Sequence, residues 1–141
     1  MQSNVVTNLG LQASPLIVST DIRNMTDIMK SVLLNPEIIA VNQQASTPGD
    51  VMGTIPGGDK SAQVWVRPIA DGSGVYVGVV NFASTEVTVS VPLSMVNPKW
   101  NAHINVDVRD LWARKDIGSA TGKVTVSVAS HDTVVLALSR D

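Results

Sequence analysis

From residue 62 onward the chain alternates. Val64 and Val66 flank Trp65. Val87, Val89 and Val91 are separated by Thr88 and Ser90, and Val106 and Val108 by Asp107. Val124, Val126 and Val128 are separated by Thr125 and Ser127, and Val134, Leu136 and Leu138 complete the series. A period of two sends successive side chains to opposite faces of a strand, so each segment carries one apolar and one polar face. An apolar sheet face is stable only against another, and short strands separated by turn signals predict an antiparallel sandwich. Pro68 stops the first strand, and Asp71-Gly72-Ser73-Gly74 is a turn. Val75 to Phe82 is apolar at most positions, which predicts a central strand.

The 141 residues amount to about one domain, and 44% hydrophobic against 16% charged residues excludes a disordered chain. Twelve acidic and ten basic residues give a net charge of −2 with no basic patch, so nucleic acid is not an expected partner. The absence of cysteine excludes a disulfide framework, cysteine-based zinc sites and a thiol nucleophile. No apolar run reaches the roughly 18 residues of a membrane span, so no membrane partner is expected. Residues 1 to 8 lack the basic and apolar pattern of a leader peptide. Compartment stays open.

The first 43 residues read differently. Val5, Val6, Leu9 and Leu11 with Gly10 among them make a weak helix. Leu16-Ile17-Val18 predicts a short buried strand. Met25, Ile28, Met29, Val32 and Leu33 share one helical face, with Asn24 or Thr26 as cap. Asn35-Pro36 ends that helix and opens a second over Glu37 to Val41, with Asn35 as its cap and Pro36 in its first turn. Residues 44 to 62, with Pro48-Gly49 and Pro56-Gly57-Gly58-Asp59, predict a loop and the boundary between two units.

Chemistry is sparse. A glycosidase needs two carboxylates across one bond, and no such pair can be nominated from spacing. Asp21 follows the apolar segment, where barrel enzymes place site residues, but it also suits a local pair with Arg23. His103 and His131 lie on separate segments, which argues against a metal site, and His131 in Ser130-His131-Asp132 reads as a turn residue. No phosphate-binding or serine-elbow motif occurs, so no catalytic, cofactor or metal residue is assigned and no cofactor is expected. Trp65 and Trp112 read as core. Trp100, in Asn97-Pro98-Lys99-Trp100, is the one candidate for an exposed ring that could contact carbohydrate. Asn24-Met25-Thr26 matches an N-glycosylation pattern and equally a capped helix start, which is the preferred reading.

Several blocks resemble one family. Ser14-Pro15-Leu16-Ile17, Asp21-Ile22-Arg23-Asn24-Met25 and Leu34-Asn35-Pro36-Glu37-Ile38-Ile39-Ala40-Val41-Asn42-Gln43 are similar to the end of the catalytic barrel of melibiase-type α-galactosidases, retaining enzymes of glycoside hydrolase family 27. Val64-Trp65-Val66-Arg67-Pro68 resembles the first strand of that family's C-terminal sandwich. Val108 to Trp112, Lys115 to Gly118 and Val126 to Asp132 resemble its last strands. The resemblance spans nearly the whole chain in order.

It implies a layout and an absence. Residues 1–43 would be the last strand and helices of a (β/α)8 barrel, and residues 44–141 a Greek-key-like antiparallel β-sandwich, making the chain mainly β. The family's two catalytic aspartates would lie upstream, so the chain alone is expected to be inactive, a structural support for an α-galactosidase-like hydrolase. The alternative is a non-catalytic carbohydrate-binding or interaction module. Carbohydrate would be met through the parent enzyme's barrel. Without that barrel, the first 43 residues are expected to be poorly ordered or buried by self-association. Gln44 departs from the family, which commonly has Asp after Asn-Gln; this puts the barrel–sandwich contacts in question.

Overall fold

The computed structural model describes residues 10–18, 21–44, 47–53 and 62–140. Of the weak helix expected over Val5 to Leu11, Gly10 and Leu11 are described and are helical; the rest of it and the turn at Pro56 to Asp59 lie outside these residues. Helix α1 spans Asp27–Leu33 and α2 Pro36–Gln43. Eight strands and a one-turn helix follow: β1 (Asp50–Gly53), β2 (Ala62–Pro68), β3 (Gly74–Asn81), β4 (Val87–Pro92), α3 (Leu93–Val96), β5 (Asn105–Asp110), β6 (Lys115–Thr121), β7 (Lys123–Val128) and β8 (Thr133–Ser139).

Six strands form one sheet in the order β1-β2-β3-β8-β5-β6, and β4 and β7 pair as a second sheet; every pairing is antiparallel. The alternating valines explain the stacking. Val87, Val89 and Val91 of β4 and Val124 and Val128 of β7 join Val64, Val66, Val77, Val79, Val108, Leu136 and Leu138 in one buried core. Their polar neighbours turn outward, where Thr88 meets Ser127 at 3.0 Å and Ser90 meets Thr125 at 2.8 Å across the β4–β7 pair.

β3 lies between β2 and β8, as its apolar run predicts. From Val77 onward its residues are buried on both faces because the larger sheet is covered twice. The β4–β7 pair covers one side, and α2 packs on the other through Ile38 and Val41, which cluster with Leu11, Leu111 and Val135. Trp65, Tyr76 and Trp112 pack against this second cluster.

Asn81 is fully buried at the end of β3 and clasps the two sheets. Its Nδ2 donates to the carbonyls of Thr85, Val128 and Ala129 at 2.8, 3.0 and 2.9 Å, and its Oδ1 accepts from the Ala83 amide at 2.8 Å.

Two expectations are corrected. No strand forms at Leu16-Ile17-Val18, and Ile17 is 82% exposed. A strand needs a neighbour's amides and carbonyls, and no described strand lies beside this segment. The loop expected over 44–62 contains β1, a short edge strand on β2. Its residues Asp50, Val51 and Met52 are exposed, so burial imposes no alternation on them. The apolar face of α1 is half-covered at Met29, Val32 and Leu33 and open at Ile28, which is 77% exposed.

Candidate functional site: the seam between the helical segment and the sandwich

The most constructed polar region of the molecule is the seam where residues 10–44 meet the outer face of the larger sheet. Its centre is Arg67. In β2, Val64 and Val66 point into the sandwich, so Arg67 points outward, beneath α2, where it is fully buried. A buried cation needs every donor satisfied. Its Nη1 donates to the carbonyl of Gly10 at 2.8 Å and to that of Val41, its Nη2 to Gln44 O at 3.1 Å and its Nε to Thr47 O at 3.2 Å. Val41 lies in the last turn of α2, where carbonyls lack intrahelical donors and the helix dipole favours positive charge. Burial lowers the guanidinium's affinity for its proton, and the neighbouring Tyr76 acts in the opposite sense.

Asn35 makes the second tie. Its Oδ1 caps α2 by accepting from the amides of Glu37 and Ile38 at 3.0 and 3.3 Å, with Pro36 in the first turn as expected. Its Nδ2 donates to Leu111 O, just beyond β5, at 2.9 Å. The third tie is ionic. Arg109 on β5 grips both oxygens of Glu37 on α2 and also reaches Asp116 on β6 at 2.7 Å. Glu37 and then Asp116 hold the Arg109 proton more firmly than in a free arginine.

Gln44, the departure from the family pattern, fits its place. Its side chain donates to Pro68 O and accepts from the Ala70 amide, both at 3.0 Å, so the seam reaches the end of β2. Gly49 closes it: its amide donates to Leu11 O at 2.7 Å, and a Cβ there would stand 2.8 Å from that carbonyl.

The residues singled out from sequence lie elsewhere. Asp21 pairs with Arg23 in two contacts of 2.9 and 3.1 Å and caps the short 3-10 turn Ile22–Asn24. The Arg23 side chain, then the Arg23 amide, hold its carboxyl below the usual range. Thr26 rather than Asn24 caps α1, accepting from the Met29 amide at 3.2 Å. His131 sits in a turn with φ of 52°, its amide donating to Ala83 O. His103 is exposed. Among the described residues no three acidic or histidine side chains are placed to share a metal.

The exposed ring expected at Trp100 is corrected. Trp100 is 6% exposed and belongs to the sandwich core. The polar stretch Asn97-Pro98-Lys99 suggested an open loop, but α3 buries Leu93 and Val96 and brings Trp100 into the same core. Sequence reasoning missed Arg67 as a site residue. The available signal was a cation closing an otherwise apolar strand.

The comparisons agree with this architecture. The family of the alpha galactosidase C-terminal beta sandwich domain matches residues 59–138. α-Galactosidase 3 of Arabidopsis thaliana is 35% identical over 127 residues, which cover 87% of this chain and 28% of that protein. The α-galactosidase of Coffea arabica is 33% identical over 130 residues, covering 92% and 32%. The crystal structure of α-galactosidase I from Mortierella vinacea superposes with a TM-score of 0.87 at 25% identity, over 97% of this chain and 34% of that one. This chain therefore spans about a third or less of each. It belongs to the α-galactosidase C-terminal β-sandwich family and is related to the C-terminal part of melibiase-type α-galactosidases.

Proposed function

We propose that the chain is the non-catalytic, supporting part of an α-galactosidase-like glycoside hydrolase, with residues 1–43 forming the end of a (β/α)8 barrel and residues 44–141 its sandwich. The observation that carries this reading is the seam. Arg67 spends its donors on carbonyls of residues 10–47, so the sandwich is built to hold that segment. The superposition on the Mortierella enzyme includes 97% of the chain, which supports placing the helical segment with the sandwich. Exposed Ile17, Ile22 and Ile28 fit a surface that meets further apolar structure, either the remainder of a barrel or a second copy of this chain. Carbohydrate would be engaged by the barrel, through a retaining two-carboxylate mechanism.

The test is hydrolysis of a chromogenic α-galactoside by the purified chain, with a complete relative as positive control. The expected result is no turnover. Turnover that survives repurification overturns the supporting role, and Asp21 is then the first carboxylate to replace. A chimera carrying residues 44–141 in place of the Arabidopsis relative's sandwich is expected to fold and hydrolyse the substrate.

A further inference from the structure

A cleft of about 380 Å³ opens beside α2 on the outer face of the larger sheet. That is the small end of ligand-pocket sizes, about 300–1,000 Å³. Ala40, Ile69 and Ala137 give it an apolar floor. Three residues with polar side chains line it from neighbouring strands: Tyr76 on β3, Asp107 on β5 and Ser139 on β8. None of these side-chain groups makes a hydrogen bond to another described residue. Burial, and then Asp71, push the Tyr76 phenol up, so it is a proton donor at neutral pH.

The charge pattern narrows the ligand. Glu37 and Asp116 also line the cleft, but Arg109 satisfies both, and that arginine's remaining contact is to Arg114 O. No free cation is left for an anion, and no set of three acidic groups converges for a metal. Ser73 also lines the cleft, but its side chain is hydrogen-bonded to Asp71. What remains is one carboxylate acceptor and the hydroxyls of Tyr76 and Ser139 beside an apolar floor. A sugar ring presents the complement: hydroxyls along its edge and C–H groups on its face.

We propose that this cleft is a non-catalytic site for one neutral pyranose sugar, held by Asp107, Tyr76 and Ser139. The site stands independently of the supporting role proposed above.

The test is NMR titration of the full chain with D-galactose and D-glucose, with putrescine as a cationic comparison. For at least one sugar, saturable shifts of the Tyr76, Asp107 and Ser139 amides are expected, with a Kd on the order of 1 mM. Asp107→Ala removes a hydrogen bond to a charged group and should weaken binding about tenfold. Asp107 is exposed and unpaired, so that variant should keep the wild-type spectrum elsewhere. Tyr76→Phe should also weaken binding while retaining the ring. No saturable shift, sugar shifts insensitive to both substitutions, or shifts caused by putrescine alone would each overturn the site. Sugar binding without hydrolysis upholds both readings, whereas hydrolysis unaffected by Asp107→Ala overturns the supporting role alone.

Discussion

Glu37 and Arg109 are 72 residues apart in sequence and face each other as a two-point pair, Nε to Oε2 at 2.9 Å and Nη2 to Oε1 at 2.8 Å. The pair joins the first turn of α2 to β5. Glu37 is more covered than Arg109, at 23% against 37% side-chain exposure. Removing the guanidinium leaves the half-buried Glu37 carboxylate with only the longer contact to Arg114 Nε at 3.8 Å. Arg109→Ala should lower the denaturation midpoint modestly, because the pair is two-point but partly solvent-screened. Chemical denaturation measures it. Arg109→Lys should recover only part of the loss, because an ammonium cannot make the fork. A full recovery would show that charge alone suffices.

Arg67 is expected to matter more. Arg67→Met withdraws the guanidinium from the carbonyls of Gly10, Val41, Gln44 and Thr47, the first two of them at buried contacts. The cost should be about 3 kcal/mol or more. Hydrogen exchange locates it: amides of α2 should lose protection before those of β3 and β8. Equal loss everywhere would mean that the segment and the sandwich open as one unit.

Gly49→Ala tests how closely the backbone approaches. The new Cβ would lie 2.8 Å from Leu11 O and 3.0 Å from Val66 O, with backbone on both sides and no flexible side chain to yield. A loss of about 1–3 kcal/mol is expected, the range for overpacking. An unchanged melting temperature would contradict this geometry.

Two titrations have opposite signs. The Asp21 carboxyl is held down first by the Arg23 side chain. Its contribution is present above the ordinary carboxylate value and is lost as pH falls through the depressed folded one. Because the pair is exposed, the effect is local, and Arg23→Ala should raise the Asp21 midpoint seen by NMR. Tyr76 is held up, chiefly by burial. Its contribution is complete below the phenol's ordinary value of about 10 and fades as pH rises through the higher folded value. It is the chain's single tyrosine, so phenolate absorbance reports it alone. A midpoint at or below the ordinary value would contradict its buried setting.

Much of the sandwich was legible because burial on one face writes a period of two into β2, β4, β5, β7 and β8. Asn35 and Pro36 were legible because a cap and a fixed φ are local requirements. β6 carried no alternation, since Lys115 to Ser119 are all exposed at the sheet's edge; only the family resemblance pointed to a strand there. The burial of Arg67 and of Trp100 was not legible for a shared reason. Each owes its burial to a segment distant in sequence, Arg67 to residues 10–47 and Trp100 to the strands that α3 delivers it to. A local pattern does not contain that information. The cleft at Tyr76 assembles β3, β5, β8 and α2, which no spacing rule unites.

The two sheets are unequal partners. Within the described residues, β4 and β7 form hydrogen-bonded ladders only with each other. Side-chain packing and a few end contacts, Asn81 foremost, fix them to the larger sheet. Pulling β4 and β7 away together breaks no ladder, whereas pulling β3 from its neighbours breaks two. The molecule therefore has a soft direction, perpendicular to its sheets, and a stiff one within the plane of the larger sheet. Force applied through the helical segment enters the larger sheet through Arg67 on β2 and Arg109 on β5, without crossing the softer boundary with β4 and β7.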